Sequence, residues 1–134
     1  DYKPVIYIDG YNVIKTTTSL NRLLDRNGLP AARAELTALC RRIGHRVEGI
    51  EIVYDGTNAL SAREKHDNIT ETFAARLEES QNADNYITKS LHATEKTGNP
   101  LWLVTADGGL RARNRSTCDL FIDPRDLIDY LESQ

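Results

Sequence analysis

Short apolar runs that end at or near an aspartate recur along this chain. Val5-Ile6-Tyr7-Ile8 leads into Asp9-Gly10, Ile50-Glu51-Ile52-Val53-Tyr54 into Asp55-Gly56, and Leu101-Trp102-Leu103-Val104-Thr105 through Ala106 into Asp107-Gly108. Each run has the length of a buried strand, and each exit carries an Asp-Gly turn signal. Between them the apolar period changes to 3.6 residues. Ala32, Leu36, Leu39, Cys40 and Ile43, opened by Pro30 and closed by Gly44, predict a helix. Ile87 and Leu91 predict another over 83–95, with Asp84 in its first turn and Gly98-Asn99-Pro100 ending it. Leu127, Ile128 and Leu131 mark a terminal helix, Leu120 to Ile122 a brief strand, and Gly108-Gly109 the start of a short helical or irregular stretch. Thr70 to Ala75 reads as a weaker strand, and Thr57 to Asn68 is polar enough for a loop or flap. Strands alternating with helices predict an α/β fold whose mainly parallel sheet is covered on both faces.

That topology changes the meaning of the aspartates. In an open parallel sheet the carboxyl ends of the strands share one edge, so Asp9, Asp55 and Asp107 are expected to converge there, joined by Asp84 from a helix start. Taken singly, each has a structural explanation as a turn former or helix cap. Asp123, before Pro124, is read only as a cap. Turn formers fall at either end of strands, however, whereas Asp9, Asp55 and Asp107 all fall at exits. Two carboxylates about 5 Å apart at an effective dielectric of about 20 repel by roughly 3 kcal/mol, so a cluster of them requires a proton or a cation. A divalent metal is the cation expected.

The 134 residues fit one domain spanning 1–134, and no apolar run approaches the length of a membrane span. With no methionine and Asp1 at the start, the beginning of the sequence reads as trimmed or processed. Cys40 and Cys118 have neither a disulfide framework nor a zinc spacing, which points to a reducing, cytoplasmic setting. A net charge of −3 excludes a wholesale positive surface, so any polyanion is bound by a local basic patch together with a metal. Arg111, Arg113 and Arg115, just beyond Asp107, are candidates to contact the phosphates of such a polyanion. Tyr11 is a candidate to stack on a base, or equally a core tyrosine. His45, His66 and His92 are scattered through unrelated segments and none is read as a general base.

Ile8-Asp9-Gly10-Tyr11-Asn12-Val13-Ile14 resembles the opening motif of NYN-domain proteins, specifically the YacP-like ribonucleases of the PIN-like nuclease superfamily. Tyr54-Asp55-Gly56, Ala83-Asp84-Asn85-Tyr86-Ile87 and Val104-Thr105-Ala106-Asp107 match the later motifs in order, so the resemblance runs from Val5 to Leu131. It implies a Rossmann-like three-layer α/β/α sandwich with strand order 3-2-1-4-5 and a metal-dependent endoribonuclease site. In that site Asp9, Asp84 and Asp107 hold Mg²⁺ or Mn²⁺, Asp55 is a fourth acid, and Asn12, one turn into the first helix, orients Asp9 or a metal-bound water. Two positions depart from the family pattern. Asn85 stands where a second successive acid is usual, and Ala106 where a small hydroxyl residue is common, leaving Thr105 to supply a hydroxyl. The rival reading is an RNA- or ribosome-binding module with a weakened or inactive nuclease site. An aspartate-nucleophile phosphatase lacks its Asp-x-Asp, and neither dinucleotide nor nucleoside-triphosphate loops are present.

Overall fold

The computed structural model describes residues 2–56, 61–77 and 81–134. Its first strand, β1 (Val5–Asp9), runs straight into α1 (Gly10–Thr16), and α2 (Thr18–Asn27) and α3 (Leu29–Arg41) carry the chain back to β2 (Gly49–Tyr54). An edge hairpin follows, β3 (Arg63–His66) and β4 (Ile69–Phe73), continuing into the short α4 (Ala74–Leu77). Then come α5 (Ala83–Thr94), β5 (Leu101–Val104), α6 (Gly108–Arg113), β6 (Leu120–Ile122) and α7 (Pro124–Glu132). The sheet order is β3-β4-β2-β1-β5-β6, parallel throughout except for β3 against β4. Counting the five parallel strands alone gives the expected order 3-2-1-4-5.

Three elements correct the sequence reading. Thr57 to Asn68 was expected to be a loop or flap, but Arg63 to His66 is a strand whose residues pair with Thr72 to Ile69. Arg63-Glu64-Lys65-His66 carries no hydropathy period, because an edge strand is protected by charge rather than packed by apolar residues; the ladder to β4 makes it a strand. Thr57 to Leu60 lie outside the described residues. The weaker strand ends at Phe73, with Ala74 and Ala75 already in α4. α2 also went unread, although Leu20, Leu23 and Leu24 stand at i, i+3 and i+4 and Gly28 closes the helix.

Alternation along the central strands divides the core into two layers. Ile6, Ile8, Ile50 and Ile52 face α1, α3 and α7 through Val13, Leu36, Leu39 and Ile128. Tyr7, Val53, Leu101 and Leu103 face α5 through Ile87 and Leu91, and the Tyr7 hydroxyl lies within hydrogen-bonding distance of Ser90 and Thr94 on that helix. Trp102 is partly buried against the first layer. One close approach positions the site. A Cβ on Gly10 would lie 2.3 Å from the buried Tyr54 ring, so only glycine lets α1 start directly at the end of β1. Among the described residues no helix is long and apolar enough to cross a membrane.

Candidate acidic site at the strand exits

Asp9 is the last residue of β1 and precedes α1, yet its side chain makes no capping bond to that helix. It instead accepts a hydrogen bond from Thr105 Oγ1 at 2.8 Å, across a sequence separation of 96 residues. Only 8% of Asp9 is exposed. Burial pushes its carboxyl up to about 6; the Thr105 hydroxyl opposes the shift, and the charges of Asp84, Asp55 and Asp107 reinforce it. Asp84 is also raised, by burial first and then by Asp107 and Asp55, with Arg113 offsetting part of the effect. Asp9 and Asp84 therefore both feel the charges of Asp55 and Asp107 at the carboxyl edge of the sheet.

The supporting bonds join elements distant in sequence. Asn12 Oδ1 accepts from the Ala106 backbone N–H at 2.8 Å, stapling the first turn of α1 to the exit of β5. Thr105 Oγ1, whose proton goes to Asp9, accepts from the Asp107 N–H at 3.1 Å. Asp107 caps α6, Oδ1 accepting from the N–H groups of Gly109 at 2.8 Å and Leu110 at 3.3 Å. Asp55 Oδ1 accepts from the Ala83 N–H and ties the end of β2 to the start of α5. Asp84 is not the cap of α5; Asn82 is, accepting from the Asn85 N–H at 2.8 Å. Asp55 and Asp107 thus serve the local backbone and the acidic edge together.

Other candidates acquire partners that the sequence did not reveal. Tyr11 is half-buried, its ring 4.8 Å from that of Tyr54, and its hydroxyl accepts from Arg33 Nη1 at 3.3 Å. Arg111 Nε donates to the Thr105 carbonyl at 2.9 Å, and its guanidinium lies over Phe121. Arg113 Nη2 donates to Asn85 Oδ1 at 3.0 Å, while Arg115 is exposed. Arg111 and Arg113 are about 200° apart around α6, so they reach different neighbours, β5 and α5. The basic stretch is not one continuous track.

The donor set at this edge is made of carboxylate oxygens, which suit Mg²⁺ or Mn²⁺. Burial and the neighbouring carboxylates raise Asp9 and Asp84, a strain that a bound cation would relieve. No three of these carboxylates bring ligand atoms within 4.8 Å of one another; among the described residues only Glu64, His66 and Glu71 do. Oxygens bound directly to one Mg²⁺ at about 2.1 Å lie no more than about 4.2 Å apart, so in this geometry at least one of the three aspartates would reach such an ion through a bound water. Sequence reasoning missed the Glu64-His66-Glu71 group, whose signal, two ligands spaced i, i+2, becomes visible only once 63–66 is known to be a strand.

The family model of the YacP-like NYN domain matches residues 6–132. Two crystal structures of Rae1 (YacP) from Bacillus subtilis share this fold. One superimposes with a TM-score of 0.77 at 20% identity, covering 96% of this chain and 74% of that one. The other, of the W164L mutant, gives 0.74 at 21% identity, covering 97% and 76%. No curated protein sequence matches the chain.

Proposed function

The chain belongs to the YacP-like NYN domain family, and from that premise we propose that it is a divalent-metal-dependent endoribonuclease cleaving RNA at the Asp9, Asp84 and Asp107 edge. The observation that supports this reading is the arrival at one sheet edge of four aspartates drawn from four separate segments, where buried Asp9 feels the charges of Asp84, Asp55 and Asp107. Mg²⁺ or Mn²⁺ bound there supplies charge neutralisation on the phosphate oxygens and a lowered pKa for an attacking water. The chain supplies the rest. Asp9, Asp84 and Asp107 hold the ion, and Thr105 fixes one oxygen of Asp9 so that the other stays available. Asn12 sets the spacing between α1 and the β5 exit, and Asp55 fixes the start of the helix that carries Asp84. Arg113, beside Asp84, and exposed Arg115 are offered to the RNA backbone, with Tyr11 at the margin of the site. Two free cysteines support a cytoplasmic location.

A cleavage assay on structured and unstructured RNA, with Mg²⁺ or Mn²⁺ and with chelator, tests the proposal. Activity should require the ion and disappear in folded Asp9→Asn and Asp107→Asn proteins. Undiminished cleavage in chelator, or by either variant, would remove the metal-site reading. A second reading, an RNA- or ribosome-binding module with a weakened site, draws on Asn85. Its amide contributes no charge, and its oxygen is already taken by Arg113. Calorimetry on Asn85→Asp separates the two, since tighter metal binding marks the natural site as charge-deficient.

A further inference from the structure

A second group of ligand-bearing side chains lies away from the aspartate edge. Glu64 and His66 are two residues apart on β3, so both project from the same face. The antiparallel register sets Glu64 directly opposite Glu71 of β4. One ligand atom from each of Glu64, His66 and Glu71 lies within 4.8 Å of the other two, and His66 Nε2 is 3.0 Å from Glu71 Oε1. Glu71 shares its face of β4 with Ile69 and Phe73, the face toward α3, and is only 8% exposed. Between α3 and the hairpin is a cavity of about 440 Å³ lined by these three residues together with Arg33, Thr37 and Arg41.

Two further features indicate a ligand in that cavity. Like charges directly opposite on a ladder destabilise it, and here one of the two carboxylates is buried. Thr37, 6% exposed, lines the cavity from α3, and its hydroxyl has no hydrogen-bond partner. The lining arginines already have partners, the Phe73 ring being part of the same lining. Arg41 pairs with Asp67 at 3.4 Å, while Arg33 donates to Tyr11 and lies over the Phe73 ring.

We propose that Glu64, His66 and Glu71 bind one divalent transition-metal ion of the zinc class, which neutralises the opposed carboxylates and clips the edge hairpin together. Two carboxylates and an imidazole suit a borderline ion, whereas the all-oxygen aspartate edge suits a hard one. The two sites therefore sort ions by chemistry.

Calorimetric titration with Zn²⁺ alone tests this in the unaltered chain, in His66→Gln, in Glu64→Gln and in the Asp9→Asn/Asp107→Asn double variant. One Zn²⁺ per chain is expected, with affinity reduced roughly tenfold or more by either hairpin substitution and kept in the aspartate variant. Binding should also raise the melting temperature of the unaltered chain. Absence of Zn²⁺ binding, unchanged affinity in His66→Gln, or loss of the ion in the aspartate variant overturns the proposal. Should the hairpin variants fail to fold, the ring-nitrogen resonance of His66 in the unaltered chain decides it: a shift on adding Zn²⁺ supports the site, and an unmoved resonance removes it.

Discussion

Burying Asp9 beside three other carboxylates makes its proton a stability variable. The folded chain raises this carboxyl from 3.8 to about 6 and so holds the proton more tightly than the unfolded chain does. Its stabilising contribution is complete below pH 3.8 and is lost as pH rises through about 6, a difference of about 3 kcal/mol at neutral pH. We predict that Asp9→Asn, which still offers Thr105 an acceptor, raises metal-free stability at pH 7 by about 1–3 kcal/mol and flattens its pH dependence between 4 and 6. Melts across that range, with and without Mg²⁺, check this; a variant no more stable than the parent would show that the acid carries no such strain. Thr105→Val should act oppositely, driving the Asp9 carboxyl higher still and costing about 1–2 kcal/mol through the lost buried hydrogen bond, which a carboxyl NMR titration reads directly. At Gly10, alanine would force the Tyr54 ring aside, and a destabilisation of about 1–3 kcal/mol by chemical denaturation is expected. Asp9, Asp55 and Asp107 were legible in sequence because Asp-Gly exits mark strand ends, and Asp84 because it opens a helix. The Asn12 and Thr105 partnerships were not, because each bond crosses more than 90 residues.

At the scale of elements, Arg111 within α6 and Arg115 just beyond it differ in what they touch. Arg111 braces the carbonyl of the residue that holds Asp9, so Arg111→Ala is expected to cost about 1 kcal/mol of stability as well as any loss in binding. Arg115→Ala should leave stability unchanged and act only on RNA, lowering the log–log salt slope of binding by roughly 0.7 for a lost single-strand contact. Salt titrations of the two variants beside their melts would expose an equal effect, which contradicts this division. The central strands were readable because β1, β2 and β5 are short, largely apolar runs, with Glu51 the one charge inside β2. The hairpin strand β3 was not, since it exists through pairing and carries only polar side chains. The same gap concealed Glu64, His66 and Glu71 as neighbours, because cross-strand partners are known only when the register is.

Across the whole molecule, the order of strands in space matters more than their order along the chain. β1 lies at the centre, paired on one side with β2 and on the other with β5, so its second edge stays uncovered until residues 101–104 are in place. During synthesis at about 5–20 residues per second, that edge waits roughly 5–20 s after Asp9 has been made. The bond from Thr105 to Asp9 forms only after this interval. A ribosome-bound chain halted before Leu101 is therefore expected to gain no protease protection from Mg²⁺, whereas the released chain should. The proposed acid centre is thus completed late, only once residues 101–105 have joined Asp9 at the sheet edge.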